Sequence, residues 1–346
     1  MAITKQKEIA KDNYFFVRSC IRQTFFPGAE QALINILKSN LKLNILEDVN
    51  HTSCTGIGFH TDIVPLETTM AVIARQFSLM NQSGCSNLLV SCVTSFGLYH
   101  EIIDLWHHHP ELEAKTREVL WTATRREFTI PTSIAHTSDL LYLYRNELAL
   151  QSLYQLVSIK TGKPLKVVDH IGCHYAKIFP KQGLGGSEFP VVLSGLITSM
   201  GGESIDYPER RHCCGFGFRH YVLKESRGYS MTNTKIKLES MAPYNPDLII
   251  ANCPGCAMFL DRWQYTLSEI EGKTYDKQGL GIPVLTHEEL AALMLGINPW
   301  DIGLQMHQVP VESLLNKIGI SYSPVNKYKL TDSKPTTIPK KASILQ

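Results

Sequence analysis

The chain has 346 residues, of which 44% are hydrophobic and 19% charged, with a formal net charge of +2. The length predicts two domains, because single hydrophobic cores usually stop growing before about 250–300 residues. So small a charge excludes the strong basic field of a nucleic-acid-binding protein, and no apolar run approaches the roughly 20 residues that cross a bilayer.

The first residues, MAITKQKEIAKDNYFF, contain no apolar signal segment, so a reducing cytoplasm is the expected compartment. In such a compartment an odd number of cysteines indicates metal or redox chemistry rather than disulfides. The nine cysteines are Cys20, Cys54, Cys85, Cys92, Cys173, Cys213, Cys214, Cys253 and Cys256.

Short apolar runs that end in cysteine alternate with helical patterns along the chain. The runs YFFVRSC and NLLVSC in the first half, and LKVVDHIGC and LIIANC in the second, predict buried strands with a cysteine at each carboxyl end. Between them, residues 27–42, 65–82 and 233–243 have helical patterns, the first with Pro27 near its start. Alternation of strand and helix predicts parallel α/β sheets, whose ligands gather at the carboxyl ends of the strands.

The cysteines also reveal an internal repeat. Cys20, Cys54 and Cys92 recur in the same order and local setting as Cys173, Cys214 and Cys253. The fold class is therefore α/β, with two duplicated Rossmann-like domains, each a parallel sheet flanked by helices. We predict an N-terminal domain at 1–160, a C-terminal domain at 161–322 and an extended tail at 323–346, with helices within residues 99–160 connecting the halves.

The second half places five cysteines at one expected site. They are spaced as Cys173, 39 residues, Cys213-Cys214, 38 residues and Cys253-Pro-Gly-Cys256. A structural zinc or a regular cubane iron–sulfur cluster takes four ligands, so five thiols exceed what either needs. The vicinal pair can bridge metal ions, which favours an irregular multi-iron cluster, and structural zinc remains the alternative.

This spacing resembles the cysteine-rich CCG motif found in the catalytic B-type subunits of heterodisulfide reductases. GCHYAK at 172–177, CCGFG at 213–217, NCPGCAMFLDR at 252–262, IPVLTHEEL at 282–290 and MHQVPVESLLNKIG at 306–319 also resemble segments of that family. The resemblance covers the chain to about residue 320. It implies a noncubane [4Fe-4S] cluster in each half, with the C-terminal cluster held by Cys173, Cys213, Cys214, Cys253 and Cys256.

The first half departs from the family pattern. Its vicinal pair is Ser53-Cys54, and its closing CxxC is Cys92-Val-Thr-Ser95, so only three of five cysteines remain. Cys20, Cys54 and Cys92 could hold zinc or a smaller iron–sulfur cluster if His60, His100, Cys85 or a partner's residue completes the site, or they could be a metal-free remnant. Cys85 by itself is interpreted as a buried small residue.

Several cationic side chains flank the second-half cysteines. His174, His212 and His220 could donate hydrogen bonds to the cluster or protonate a leaving thiolate, with simple packing as the alternative. Arg219, Lys177 and Arg211 could offset the charge of the thiolates. Gly215 and Gly217 are interpreted as allowing close approach of the backbone to the cluster, because no phosphate-binding motif is present.

The resemblance implies an enzyme subunit that cleaves, forms or oxidises a disulfide, persulfide or carrier-bound sulfur at its cluster and exchanges electrons with partner subunits. Those partners would be a C-type iron–sulfur subunit and a flavin-containing A-type subunit, and a lipoate-bearing sulfur carrier fits a sulfur-oxidising complex. The alternative is an electron-relay or docking subunit of a respiratory complex like succinate dehydrogenase, with zinc in the first half. The basic tail leaves peripheral membrane association open.

Overall fold

A computed structural model describes residues 9–52, 54–177, 184–186, 190–216 and 227–324. In the first half, four parallel strands form a sheet in the order β2-β1-β3-β4. Most residues of these strands are buried, as is typical of parallel sheets covered by helices. They are β1 (Tyr14–Val17), β2 (Ile45–Leu46), β3 (Asn87–Val90) and β4 (Ser133–His136).

The second half repeats this topology. Its four parallel strands have the order β6-β5-β7-β8, the same order as in the first sheet. They are β5 (Lys166–His170), β6 (Glu203–Ile205), β7 (Leu248–Ala251) and β8 (Val284–Thr286). The prediction of two Rossmann-like halves is therefore confirmed.

The helices of the first half are α1 (Cys20–Phe25), α2 (Pro27–Asn35), α3 (Gly56–His60), α4 (Leu66–Gln82), α5 (Val93–His108), α6 (Pro110–Thr124), α7 (Thr137–Leu143) and α8 (Arg145–Gln151). Helices α5 and α6 precede β4, so these helices lie inside the first half instead of connecting the halves. The short strand SIAH, with a polar residue at each end, gave no apolar run from which β4 could be predicted.

The helices of the second half are α9 (Cys173–Ala176), α10 (Val192–Ser199), α11 (Arg227–Met241), α12 (Pro254–Glu271), α13 (His287–Met294) and α14 (Glu312–Lys317). The predicted tail at 323–346 lies outside the described residues except for its first two. Among the described residues, no helix combines the length and apolar character needed to cross a membrane.

A buried ion pair joins the two halves. Arg22 of α1 and Glu288 of α13 are both fully buried, and Arg22 Nη1 lies 2.6 Å from Glu288 Oε2. Arg22 Nε also donates to the Ser91 carbonyl at 2.5 Å, and the Thr137 hydroxyl donates to Glu288 at 3.1 Å. Since these residues all follow carboxyl ends of strands, the carboxyl edges of both sheets meet at the interface.

Candidate metal centre

Each sheet has two middle strands, and a cysteine lies at the carboxyl end of each of these four strands. Cys20 follows β1 and Cys92 follows β3, while Cys173 follows β5 and Cys253 follows β7. In a doubly wound sheet this is where connections diverge and leave a crevice for ligands. The sequence therefore predicted the edge of each sheet at which its cysteines lie.

The five second-half cysteines line one cleft and are called here the five-cysteine set. Cys214 Sγ lies 3.1 Å from Cys256 Sγ. Each of the five is close enough to another to shift its pKa. Chain segments some 40 residues apart thus bring all five predicted ligands together.

Protons are shared unequally within this set. Hydrogen bonds from Cys173 and Cys214 lower the pKa of Cys213, and hydrogen bonds from Cys256 and Cys92 lower the pKa of Cys253. Hydrogen bonding to Cys213, together with burial, raises the pKa values of Cys173 and Cys214. Five adjacent thiolates would repel one another strongly, so full deprotonation requires bound cations, and soft thiolates favour iron–sulfur or zinc. The donor set fits a metal group of this class.

One face of α11 holds the loop that carries the vicinal cysteines. Ser230 Oγ donates to the Gly215 carbonyl at 2.9 Å, and Thr234 Oγ1 donates to the Cys214 carbonyl at 2.6 Å. One turn on, Lys237 Nζ donates to the carbonyls of residues 209 and 210 at 2.6 and 3.0 Å. These three residues were not predicted from the sequence, although their spacing of four and three places them on one helix face.

Gly215 lets this loop approach α11. Its φ of +96° is in the left-handed region, and a Cβ there would lie 2.3 Å from the carbonyl oxygen of Ser230. The close approach expected of this glycine is therefore to the backbone of α11. Gly217 lies outside the described residues.

Basic side chains lie near the five-cysteine set, and one of them is buried. Lys237 is fully buried, and burial lowers its pKa to about 7 against the opposing effect of the Cys214 thiol. Arg210 donates two hydrogen bonds to Asp169, at 2.5 and 2.6 Å. Lys177 and Arg211 line a hollow that also contains Cys173. Arg219, a predicted site residue, lies outside the described residues.

Two histidines, one from each half, meet in the cleft above the five-cysteine set. His174 Nδ1 lies 3.5 Å from Cys173 Sγ, and its ring centroid lies 4.5 Å from that of His60. Burial and the neighbouring His174 lower the pKa of His60 to about 4. Both rings line the same cleft as Thr94 and Phe216. The cleft is thus shared between the halves, and His60, predicted only as a first-half ligand, faces the second-half cysteines.

Other predicted residues lie elsewhere. His212 Nε2 bonds to Asn233 Oδ1 of α11 at 2.9 Å and does not line this cleft among the described residues. Cys85 precedes β3 and its thiol donates to the Asn13 carbonyl at 3.0 Å, so it lies at the opposite edge of the sheet from Cys92 and cannot complete a first-half site. His100 packs against Phe96, with ring centroids 4.7 Å apart.

The structure adds His170, which was not predicted from the sequence. It is the last residue of β5, is 2% exposed, and has no hydrogen-bond partner for either ring nitrogen among the described residues. A ring nitrogen of His170 and the sulfurs of Cys214 and Cys256 all lie within 4.8 Å of one another. The signal available in the sequence was a histidine three residues before Cys173 on a buried strand.

The three first-half cysteines lie in different environments. Cys20 is exposed beside an open groove of about 860 Å³, whereas Cys54 is buried and accepts a hydrogen bond from the Gly56 amide at 3.3 Å. Cys92 is buried beside Cys253 of the other half, which raises the pKa of Cys92. Within the described part of the chain, these three do not form a group whose ligand atoms all lie within 4.8 Å. Their prediction as one metal site remains a prediction.

Comparison with known protein families bears on the region that carries the complete motif. Residues 167–261 match the cysteine-rich domain family CCG. The second half contains a CCG domain. The matched residues of this CCG domain include all five cysteines of the set.

Beyond the CCG domain, the similarity extends over most of the chain. The B-type subunit of the ferredoxin:CoB-CoM heterodisulfide reductase of Methanosarcina acetivorans is 27% identical over 307 residues, covering 88% of this chain and 95% of that protein. The 8-methylmenaquinol:fumarate reductase membrane anchor subunit of Wolinella succinogenes is 25% identical over 303 residues, covering 84% and 98%. The predicted resemblance to the B-type subunits of heterodisulfide reductases is confirmed, and the relatives are subunits of oxidoreductases.

A solved structure shares the fold of the CCG domain and of the half before it. The crystal structure of a hypothetical protein from Helicobacter pylori superposes with a TM-score of 0.60 over 88% of this chain, at 11% identity. This chain spans 55% of the length of that protein. At this identity the likeness concerns the fold alone.

Proposed function

We propose that the chain is the iron–sulfur subunit of a heterodisulfide-reductase-like complex. In this proposal the five-cysteine set holds a noncubane [4Fe-4S] cluster that acts on a substrate sulfur. The observation that carries the proposal is that five thiols line one cleft between the halves. Four ligands suffice for zinc or a cubane cluster, so the fifth thiol favours the irregular cluster.

The reaction needs electrons one at a time and protons at the departing sulfur. Cleavage of a disulfide breaks one S–S bond, consumes two electrons and two protons, and releases two thiols. When bound, the cluster supplies one-electron transfer and an iron site for a substrate sulfur. His174 is placed to hold a proton near Cys173, because its Nδ1 lies 3.5 Å from that sulfur. His60 bounds the cleft from the other half.

The incomplete first half favours a substrate in which only one sulfur needs to be held by a cluster. A symmetric pair of clusters could hold both sulfurs of a heterodisulfide, but Ser95 stands where the last first-half cysteine would be, and it hydrogen-bonds to Cys54. We therefore favour a persulfide or a sulfur loaded on a lipoate-bearing carrier protein over a free heterodisulfide. Loss of one complete cysteine set is the basis for this preference.

Partner subunits complete the electron path. The sequence has no flavin or nicotinamide fingerprint, so electrons must pass through other chains. A C-type iron–sulfur subunit and a flavin-containing A-type subunit are the proposed partners. We place the assembly in the cytoplasm, with peripheral membrane contact left to those partners and the tail.

A second candidate is an electron-relay or docking subunit, with zinc at the first-half cysteines. Similarity to the membrane anchor subunit of a fumarate reductase favours it, because that protein matches nearly as much of the chain as the heterodisulfide reductase subunit does. The two candidates differ in whether sulfur reacts at the five-cysteine set.

A single-turnover experiment separates them. Protein purified without oxygen is reduced, freed of excess reductant and mixed with a small disulfide or an alkyl persulfide. The proposal predicts that the persulfide reoxidises the protein, with cleavage of its S–S bond, uptake of two protons, and release of one thiol and one hydrogen sulfide for every two electrons. His174→Gln should slow this step by about 100-fold or more, the usual contribution of a positioned proton donor. Reoxidation by an electron acceptor but by neither sulfur compound would identify the relay instead.

A further inference from the structure

His170 lies in an environment that leaves its imidazole without a protein partner. It is 2% exposed at the carboxyl end of β5, and both ring nitrogens lack a hydrogen-bond partner among the described residues. Buried polar groups are nearly always paired, because leaving one unpaired costs about 1–3 kcal/mol. An unpaired imidazole at this depth therefore indicates a ligand that protein atoms do not supply.

The nearest soft donors define where that ligand lies. A His170 ring nitrogen and the sulfurs of Cys214 and Cys256 lie within 4.8 Å of one another, and the two sulfurs are 3.1 Å apart. Ligands about 2.0–2.3 Å from a shared tetrahedral metal are separated by about 3.5–3.8 Å. Small side-chain rotations would bring these three atoms to such separations.

We infer that His170 is a nitrogen ligand of the metal centre, beside the thiolates of Cys214 and Cys256. The inference rests on the proposed function only in that a metal group occupies the five-cysteine set. Of the histidines near the set, His170 is the one for which both ring nitrogens are buried and unpaired among the described residues. His174 and His60 each have one such nitrogen, Nε2, while His174 Nδ1 contacts Cys173 and His212 bonds to Asn233.

A neutral nitrogen ligand would have a defined chemical effect. It adds no negative charge to a centre that already holds five thiolates. Histidine ligation raises the reduction potential of Rieske clusters relative to all-cysteine clusters, and the same direction is expected here. In the first half, Val17 occupies the position three residues before Cys20, so this nitrogen donor belongs to the second half alone.

Nitrogen hyperfine spectroscopy tests the assignment directly. The full chain, purified without oxygen, is labelled with ¹⁵N-histidine, and a paramagnetic state of the centre is examined by pulsed electron paramagnetic resonance. We expect the strong coupling of a directly bonded nitrogen, which changes with the isotope and disappears in His170→Gln. The matched control His212→Gln should keep it.

A second variant is needed if His170→Gln loses its metal, because the nitrogen coupling would then disappear for either reason. His170→Cys, which offers a thiolate at the same place, should retain iron and lack the nitrogen coupling. Iron-loaded wild-type protein without strong nitrogen coupling would overturn this inference and leave the proposed function standing. Wild-type protein without iron would overturn both, and persistence of the coupling in His170→Cys would overturn the assignment to His170.

Discussion

The Cys92 thiol adjoins the Cys253 thiol across the interface between the two halves, where it lowers the pKa of Cys253 and has its own pKa raised. Each caps the amino end of a helix, α5 and α12 respectively. Gly172 packs closely beside both helix starts, because a Cβ at this position would lie 2.6 Å from Val93 and 3.1 Å from the Cβ of Cys253. A first-half cysteine therefore adjoins the five-cysteine set.

Removal of Cys92 should alter the metal centre without abolishing it. Cys92→Ala removes a thiol that lowers the pKa of Cys253, and losing a group that stabilises the Cys253 thiolate should lower a cluster's potential. An interaction of about 0.5–1.5 kcal/mol corresponds to a shift of roughly 20–65 mV for one electron. Redox titration should show this shift with iron retained, whereas Cys85→Ala should show none. Loss of zinc at an unchanged potential would place Cys92 in a separate first-half site.

The Arg22–Glu288 ion pair should be essential to the packing of the halves. Both side chains are fully buried, so Arg22→Ala leaves the Glu288 carboxylate without its guanidinium partner and should cost about 3–5 kcal/mol of unfolding free energy. Lys38→Ala, which breaks a partly exposed pair with Glu47, should cost less than about 1 kcal/mol. Chemical denaturation measures both, and equal losses would show that the interface does not depend on Arg22.

His307 should make stability depend on pH. Burial alone would lower its pKa, but Glu289 and Asp261 raise the pKa to about 10. Because this lies above the unfolded value of about 6.5, the charged imidazole stabilises fully below about pH 6.5, and its contribution falls as pH rises toward 10. The stability difference between wild type and His307→Gln should thus be larger at about pH 6 than at about pH 9. A difference independent of pH would contradict the charged pairing.

Gly215→Ala should damage the vicinal cysteine loop. The new methyl group would lie 2.3 Å from the Ser230 carbonyl oxygen and would force the loop away from α11. Gly272 also has a positive φ, but a Cβ there meets nothing within 4 Å, so Gly272→Ala should cost only about 1–2 kcal/mol in backbone strain. We expect Gly215→Ala to lose bound iron and Gly272→Ala to retain it. Equal iron contents would show that the close approach to α11 is dispensable.

Local sequence patterns predicted much of this architecture. Apolar runs such as LIIA, followed by cysteine, were sufficient to predict that Cys92 and Cys253 follow buried strands. Strand β4 was not predicted, because only two apolar residues stand between Ser133 and His136. The inclusion of His60 in the cleft and the contact of Cys92 with Cys253 depend on how the halves pack, which no local pattern encodes. The same holds for Arg22, which by residue type alone would be expected at the surface.

Iron and acid-labile sulfide analysis of protein purified without oxygen shows whether the five-cysteine set holds an iron–sulfur cluster. The wild-type chain and Cys85→Ser should each contain about four irons with matching sulfide and an unusual paramagnetic signal, whereas Cys213→Ser and Cys214→Ser should lose the signal and most of the iron. Zinc in place of iron, or iron unchanged in both vicinal variants, would contradict the account.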